Sequence, residues 1–216
     1  MNPREPDIPP AAKDYDRKAE DYSWRGPELA FGLSHKFINR GECVLDIGIG
    51  TGLSSILFHE SGLRVYGMDK SAEMLEVCRQ KGLAADLRKH DLTIEPYPYD
   101  TASLDHAICI GVLEQIKDLT LVFREVSRIL RDKGIFAFTV ADRGPGEGAE
   151  YAASPPSTQS GPIVTMYRRS TDEVSGLLKS NNFYSLKSVE FFAYLDLEKT
   201  VPLRLKLYVV RRIVRI

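Results

Sequence analysis

Apolar runs alternate with amphipathic stretches through the central part of this sequence. The runs at Val44 to Ile47, Leu63 to Met68, Leu104 to Leu113 and Ile135 to Val140 are apolar enough to be buried parallel strands. A shorter strand is predicted at Ala84 to Arg88. Helical spacing separates these runs, and the alternation of strand and helix predicts an α/β fold built on a parallel sheet.

The predicted helices carry start and stop signals. Apolar residues recur on one face of Leu119 to Arg131, which predicts a helix that covers the sheet. Ser71 is expected to cap a helix that ends at Gly82. Ser170, followed three residues later by Glu173, predicts a capping box at the start of another helix.

Both ends of the chain differ from this central pattern. Residues 1–12 are rich in proline and are expected to be a mobile tail, whereas Lys13 to Tyr22 and Glu28 to Arg40 predict helices. Leu186 to Leu195 and Leu203 to Val214 predict a final antiparallel pair of strands, the last of which we expect to be an exposed edge.

Glycine, proline and serine interrupt the pattern over residues 141–162. An irregular segment of this length in a compact domain is normally a lid or disordered. Because it follows the fifth predicted strand, we expect it to overhang a ligand pocket at the sheet edge. The candidates for substrate contact on this lid are Arg143, Glu147, Glu150, Tyr151 and Gln159.

A glycine-rich turn follows the first strand. Asp46 lies at the end of the strand, and Gly48, Gly50 and Gly52 come at alternate positions before a predicted helix. Such a turn lets a flat ligand approach the backbone closely. The dinucleotide fingerprint G-x-G-x-x-G would place glycine at position 53, where this chain has Leu53. A carboxylate beside the turn would repel a pyrophosphate but could hold an ammonium group or anchor the loop.

A second acid, Asp69, ends the next strand. It lies about 20 residues beyond the first glycine, which is the spacing at which an acid binds ribose hydroxyls. The two acids together describe a ligand that has a ribose and a positive end but no phosphates, and S-adenosylmethionine fits that description. A purely structural glycine turn is the alternative.

Five segments, taken in order, carry a resemblance to a known family: Val44–Gly52, Tyr66–Leu75, His90–Leu92, Leu104–Asp118 and Leu130–Ile135. They resemble the class I S-adenosylmethionine-dependent methyltransferases. The likeness is to the small-molecule group related to the ubiquinone and menaquinone biosynthesis methyltransferases (methyltransferase type 11), and it covers about residues 41–139. Asp132 and Lys133 depart from it, because they stand where the family usually has a proline and a glycine.

This resemblance implies a Rossmann-like sheet of seven strands, mostly parallel with the last strand antiparallel, helices on both faces and an N-terminal helical lid. It divides the chain into a tail and helical cap at residues 1–40 and a methyltransferase domain at residues 41–216, with a lid insertion at about 141–167. The implied activity is transfer of the methyl group of S-adenosyl-L-methionine to a small-molecule acceptor by in-line displacement. A non-catalytic module that only binds the cofactor is the alternative.

The resemblance also implies roles for individual residues. Asp91 would accept the exocyclic amine of adenine, with Asp86 as its competitor, and Met74 would touch the ring or simply pack in the core. Tyr15 or Tyr22 would line the methionine end, where an aromatic ring suits a sulfonium, or would only pack the helices. The predicted cofactor-binding residues are Tyr15, Tyr22, Asp46, Gly48, Gly50, Gly52, Asp69, Lys70, Met74, Asp91, Leu92, Ile110 and Gly111.

The sequence contains no convincing general base. His35, Glu114 and Tyr151 are the candidates, and Gln115 stands where relatives often carry histidine. Displacement at a cationic sulfur needs no covalent intermediate, and the histidines lack metal-ligand spacing, so no metal is predicted. Trp24 is expected to be a lid residue over the cofactor.

Composition narrows the remaining choices. With 216 residues and a net charge of −1, the chain fits one domain and a nucleic-acid partner is not expected. Its three scattered cysteines indicate a reducing compartment, with no disulfide framework. No apolar stretch reaches ~18 residues, so no membrane span is expected and the cytoplasm is the predicted location. Leu53 and Asp46 disfavour a nicotinamide oxidoreductase, while the methyl acceptor and the oligomeric state stay open.

Overall fold

The computed structural model describes residues 10–153, 164–194 and 203–214. Within these residues nine strands join in one sheet. In chain order the strands are β1 Cys43–Ile47, β2 Arg64–Asp69, β3 Ala84–Lys89, β4 His106–Cys109, β5 Ile135–Asp142, β6 Glu150–Ala153, β7 Val164–Arg169, β8 Phe183–Tyr194 and β9 Leu203–Arg212.

Helices connect most of the strands. In chain order they are α1 Pro10–Lys13, α2 Tyr15–Asp21, α3 Gly26–Ser34, α4 Ile56–Glu60, α5 Ala72–Lys81, α6 Thr120–Ile129 and α7 Thr171–Ser180. Short 3-10 turns cover His35–Phe37, Leu53–Ser55 and Leu113–Gln115. Within the described ranges, every helix is too short or too polar to span a bilayer.

The sheet has the arrangement that the alternating pattern predicts. Strands β3, β2, β1, β4 and β5 lie side by side in that order and are parallel. β9 pairs with the other side of β5 in antiparallel orientation, and β8 pairs with β9, also antiparallel. These strands confirm the predicted Rossmann-like α/β sheet with an antiparallel end.

Two further strands correct the predicted count of seven. β6 and β7 form an antiparallel hairpin inside the segment predicted as an irregular lid. β4 ends at Cys109, which pairs with Phe138, so β5 continues beyond its neighbour on that side. β7 pairs there with Ala141 and Asp142 of β5. The described part of the lid is therefore an extension of the sheet, held by backbone hydrogen bonds.

The last strand is not the exposed edge that its arginines suggest. β9 lies between β5 and β8, and Val209 and Val210 are fully buried. Because β9 is paired on both sides, the edge at this end of the sheet is β8. Arg211 and Arg212 lie half-buried at the end of β9, and Arg215 lies outside the described residues.

Several N-terminal boundaries also differ from the predictions. Helix α1 falls within the segment predicted as a tail, of which residues 1–9 lie outside the described residues. Helix α3 ends at Ser34 instead of Arg40, and a 3-10 turn follows it. Strand β4 is shorter than predicted, and Gly111 two residues beyond its end has a left-handed φ of +73°.

Both predicted helix caps form. The Ser71 hydroxyl accepts a hydrogen bond from the Met74 N–H, and Gly82 ends the helix in a left-handed conformation. At α7, the Ser170 hydroxyl accepts a bond from the Glu173 N–H, and the Ser170 N–H donates to the Glu173 carboxylate at 2.6 Å. This reciprocal pair confirms the predicted capping box.

Apolar layers cover both faces of the sheet. Along β5, Phe136 and Phe138 face the side covered by α6 and α7, whereas Ile135 and Ala137 face the side covered by α3, α4 and α5. On the first side, Phe123 of α6 packs edge-on against Phe138, with 5.1 Å between the ring centroids. The period-two alternation of a buried strand thus builds two cores, and the prediction of helices on both faces is confirmed.

We predict that Ser170→Ala lowers the free energy of unfolding by about 0.5–2 kcal/mol, because the Glu173 N–H loses its acceptor. Denaturant unfolding followed by circular dichroism measures the change. Ser175→Ala, at an exposed position inside α7, is the matched control, and it should be neutral or slightly stabilising because alanine favours helix. Equal losses from both variants would contradict the capping role.

Candidate functional site

The glycine turn at the end of β1 is pinned to the neighbouring strand. The N–H groups of Gly48 and Ile49 donate to the carbonyl oxygen of Met68 at 2.8 and 3.1 Å. The three glycines at 48, 50 and 52 all have positive φ, of +73°, +54° and +87°. A Cβ built on Gly50 would meet only the Gly48 carbonyl oxygen, at 4.0 Å. The backbone at Gly50 therefore presents an open face that a ligand can approach.

Asp69 connects this turn to the next strand and helix. One carboxylate oxygen accepts a hydrogen bond from the Gly50 N–H at 2.9 Å, and the other accepts from the Ser71 N–H at 2.8 Å. The side chain is half-buried. Since each carboxylate oxygen can accept more than one hydrogen bond, Asp69 retains acceptor capacity beside the turn.

Asp46 lies beneath the turn and is 1% exposed. Its carboxylate accepts a hydrogen bond from the Ser55 hydroxyl at 2.7 Å. Burial, opposed by the Ser55 hydrogen bond and reinforced by the nearby charge of Asp69, raises the pKa of Asp46 to about 7. A carboxylate held here is poised to respond to any positive charge that enters the site.

Glu114 brings a third acid to the same region. It lies in the 3-10 turn after β4, is 5% exposed, and its Oε2 has no hydrogen-bond partner among the described residues. Burial raises its pKa to about 7. Burial holds the pKa of the Cys109 thiol well above its usual value, and the charges of Asp46, Glu114 and Asp69 add to this effect. We call Asp46, Asp69 and Glu114 the acidic cluster.

Arg169 at the end of β7 holds the turn that carries Glu114. Its guanidinium Nη2 donates to the carbonyl oxygens of Ile116 and Lys117 at 2.6 and 2.7 Å. The side chain is 9% exposed, and burial lowers the pKa of its guanidinium. Sequence analysis missed this contact, and the Tyr167–Ser170 turn before α7 was its only local signal.

The N-terminal helix α2 is fastened over the glycine turn. Asp16 accepts a hydrogen bond from the Thr51 hydroxyl at 2.6 Å and forms an ion pair with Lys81 at the end of α5. This places the half-buried Tyr15 beside the acidic cluster. Burial, and then the charges of Glu114 and other nearby acids, raise the pKa of Tyr15 to about 12. The tyrosine therefore stays protonated and can donate a hydrogen bond.

Trp24 covers the carboxyl end of β4. A Cβ built on Gly111 would lie 3.2 Å from Cζ2 of Trp24, so any larger residue there would press against the indole. The Gly111 N–H donates to the buried Thr139 hydroxyl of β5 at 2.7 Å. Phe191 of β8 supports the indole, with 6.0 Å between the ring centroids. The position of Trp24 is consistent with its predicted role as a lid.

The predicted adenine-side residues lie around the ends of β2 and β3. One Asp91 oxygen accepts hydrogen bonds from the N–H and hydroxyl of Thr93 at 2.8 and 2.7 Å, so part of its capacity is used locally. The Thr93 hydrogen bonds lower the pKa of Asp91, and the charge of the exposed Lys70 lowers it further. Asp86, its competitor, pairs with Arg88 at 2.7 Å.

The remaining predicted residues differ in exposure. Leu92 and Ile110 are buried among core side chains, while Met74 and Tyr22 are half-buried. His35 is exposed, and its Nδ1 lies 2.9 Å from the carbonyl oxygen of Gly32, one turn earlier in the same helical segment.

The lid candidates form ion pairs within the domain. Arg143 pairs with Glu173 at 3.0 Å, Glu147 with Arg204 at 3.0 Å and Glu150 with Lys117 at 3.1 Å. The guanidinium of Arg168 lies 4.0 Å from the ring centroid of the half-buried Tyr151. Gln159 lies outside the described residues. These contacts fasten the hairpin to α7, β9 and the segment after Glu114.

Comparison with known proteins finds a family match for the part of the chain that contains the glycine turn. Residues 45–138 match a family model described as a methyltransferase domain. The chain is 34% identical over 116 residues to the malonyl-[acyl-carrier protein] O-methyltransferase of Serratia marcescens, covering 54% of this chain and 43% of that protein. It is 31% identical over 126 residues to the ubiquinone biosynthesis O-methyltransferase of Xanthomonas oryzae pv. oryzae (strain PXO99A), covering 52% and 51%. The match thus spans about half the length of these relatives.

A solved structure shares the fold. The S-adenosylmethionine-dependent methyltransferase from Methanosarcina mazei superposes with a TM-score of 0.70 at 16% identity, over 85% of this chain and 98% of that one. Residues 45–138 of this chain therefore match a methyltransferase domain, and the fold is shared with an S-adenosylmethionine-dependent methyltransferase. This match confirms the resemblance inferred from the ordered motifs, and S-adenosylmethionine is the cofactor named for the solved structure.

The described residues of the methyltransferase domain fit that cofactor. The acidic cluster offers negative charge to its sulfonium and ammonium groups, and Asp69 has acceptor capacity for ribose hydroxyls at the predicted position. The open face at Gly50 leaves room for the nucleoside, because glycine has no Cβ to occupy that space. Tyr15 and Trp24 place aromatic side chains on the same side, where a cation is favoured.

We predict that the methyltransferase domain releases protons when it binds S-adenosylmethionine. Asp46 and Glu114 have pKa values of about 7, so each is partly protonated at neutral pH. A bound cation favours the charged carboxylates and lowers both pKa values. Affinity should therefore rise between pH 6 and 8, by up to about tenfold per pH unit for each proton released.

Calorimetric titration in buffers of different ionisation enthalpy counts these protons. Glu114→Gln should release fewer protons than the parent protein, whereas Glu20→Gln, an exposed change on α2, should release the same number. Binding that is independent of pH and releases no protons would show that the acidic cluster does not sense the cofactor.

We also predict that Asp69→Ala weakens S-adenosylmethionine binding by about 1–3 kcal/mol, because the ribose hydroxyls lose a charged acceptor. Calorimetry gives the change in Kd, and a thermal melt confirms that the variant is folded. Asp172→Ala removes an exposed carboxylate from α7, and it should leave the Kd within about twofold. An unchanged Kd for Asp69→Ala would refute the ribose assignment.

Proposed function

We propose that this protein transfers the methyl group of S-adenosylmethionine to an oxygen atom of a small-molecule acceptor. The observation that carries the proposal is the acidic cluster at a glycine turn that is open at Gly50. A site of this charge suits a cationic nucleoside and disfavours a phosphate-bearing one. The relatives from Serratia marcescens and Xanthomonas oryzae are both O-methyltransferases, which supports oxygen as the accepting atom.

The cofactor supplies a methyl group on a cationic sulfur, which is a good leaving group. The residues of the chain have to orient the two reactants, with the reacting atoms about 3–3.5 Å apart, and to exclude water. The glycine turn and Asp69 orient the nucleoside end. Tyr15 and Trp24, both carried by the N-terminal segment, cover the side where the acceptor enters and keep water out.

The acceptor side is assigned to the β6–β7 hairpin and the turn that carries Glu114. Arg169 joins these two elements through the carbonyl oxygens of Ile116 and Lys117. Because the hairpin extends β5 at the carboxyl edge of the sheet, it lies next to the ligand-binding edge of an open α/β fold. A pocket between them would take a small molecule.

We further propose that the protein works in the cytoplasm. Cys43, Cys78 and Cys109 are all free and buried in the described structure. Buried unpaired thiols of this kind are typical of proteins kept in a reducing compartment.

We predict that Gly50→Val abolishes methyl transfer, because a side chain at position 50 fills the open face of the turn. Formation of S-adenosylhomocysteine from a panel of hydroxylated small molecules, followed by mass spectrometry, measures turnover. Affinity for S-adenosylmethionine should fall at least about tenfold. If the parent protein binds no S-adenosylmethionine, the proposal is wrong.

Gly146→Val is the matched control for this substitution. Gly146 also has a positive φ, of +78°, and a Cβ there meets nothing within 4 Å. The backbone strain introduced by valine is therefore comparable at the two positions, but position 146 lies on the exposed lid. Loss of activity in both variants would point to strain alone and would count against the role of the turn.

A further inference from the structure

Glu114 is a buried acid with one unpartnered carboxylate oxygen. It is 5% exposed, and its Oε2 has no hydrogen-bond partner among the described residues. Leaving a carboxylate in this state costs several kcal/mol unless something else binds it. Acids are rarely buried in this way outside functional sites.

The surroundings of Glu114 hold it in place without neutralising it. Arg169 is the cation that touches its turn, and the guanidinium Nη2 donates to the carbonyl oxygens of Ile116 and Lys117. Tyr15 is near enough for the charge of Glu114 to raise its pKa. The carboxylate therefore has a fixed backbone, a hydroxyl neighbour and an unused oxygen.

Glu114 also lies close to where the methyl group must be delivered. It follows Gly111 by three residues, and Gly111 lies two residues beyond the end of β4, beneath Trp24. The acid thus belongs to the acceptor side of the pocket, whereas Asp69 belongs to the turn that receives the nucleoside.

We propose that Glu114 accepts the proton of a neutral hydroxyl acceptor, and that the acidic cluster excludes acceptors whose methylated group is a carboxylate. This inference rests on the proposed function. As the O–H bond of the acceptor breaks, its proton passes to Glu114 Oε2 and the oxygen forms a bond to the methyl carbon. The electron pair of the broken carbon–sulfur bond stays on sulfur, which leaves a neutral thioether.

The charges around the pocket decide between the two acceptor classes. A carboxylate acceptor would add a negative charge beside Asp46, Asp69 and Glu114. The nearby arginines are already engaged: Arg143 pairs with Glu173, Arg168 with Glu147 and Arg204 with Asp142. The Arg169 guanidinium donates to the carbonyl oxygens of Ile116 and Lys117. A phenol or enol enters uncharged and needs a base, and a carboxylic acid, already ionised at neutral pH, does not.

The test compares matched pairs such as 2-naphthol with 2-naphthoate and catechol with benzoate, each at pH 6 to 9. We expect methylation of the hydroxyl compounds only. Their kcat/KM should rise with pH and reach a plateau, with the inflection at or below about pH 7, because the free carboxylate is the active form. The titratable groups that Glu114 influences are Tyr15 and Cys109, which Asp46 and Asp69 influence too, and Arg169 binds the backbone of its turn.

Variants separate a proton acceptor from a structural acid. Glu114→Gln should lower kcat for a hydroxyl acceptor by about 10²–10⁴-fold and remove the pH-dependent rise, while still binding S-adenosylmethionine. Glu114→Asp should restore part of the rate. Glu20→Gln on the exposed face of α2 is the control and should behave like the parent protein.

Acceptor binding gives a readout that does not depend on turnover. Calorimetry with protein loaded with S-adenosylhomocysteine should show 2-naphthol binding at least about tenfold more tightly than 2-naphthoate at pH 8. Methylation of carboxylates, tighter binding of naphthoate, or full activity of Glu114→Gln would overturn the inference and leave the proposed function standing. Failure to bind S-adenosylmethionine at all would overturn both.

Discussion

Three carboxylates lie at the carboxyl edge of this sheet, and the burial of two of them is the constraint on which the rest of the site depends. Asp46 and Glu114 are almost fully buried, and both have pKa values raised to about 7. Buried acids with so few partners are costly in the free protein, because burial disfavours their charged form. A cationic ligand offsets that cost by favouring the charged carboxylates. The burial of Asp46 and Glu114 therefore contributes to the affinity for such a ligand.

Two side-chain hydrogen bonds between distant parts of the chain fix the elements around the carboxylates. Asp16 fastens α2 to Thr51 in the glycine turn, across 35 positions of sequence. Arg169 fastens β7 to Ile116, across 53 positions. The first brings Tyr15 over the acidic cluster and the second fixes the turn that carries Glu114. Each of these hydrogen bonds joins an element outside the five parallel strands, α2 or β7, to a turn at the edge where those strands end.

The apolar cores on both faces of the sheet stabilise the fold enough to offset the cost of burying Asp46 and Glu114 at its edge. Phe123, Phe136 and Phe138 form an edge-to-face cluster on one side of β5, and the small Ala137 faces the other side. Apolar burial of this kind stabilises the sheet independently of the site. Substitutions that neutralise Asp46 or Glu114 should therefore leave the sheet intact and change the chemistry of its edge.

The sequence by itself determined the approximate positions of the five parallel strands, both helix caps, the glycine turn and the acids at the ends of the first two strands, since these depend on local periodicity and short-range hydrogen bonds. Tertiary structure alone decided that β9 is internal, that β6 and β7 extend the sheet, and that Arg169 supports the turn of Glu114. It also decided that Glu114 is buried with one carboxylate oxygen unpartnered. Burial and missing partners are properties of contacts between residues far apart in sequence, so no local pattern records them.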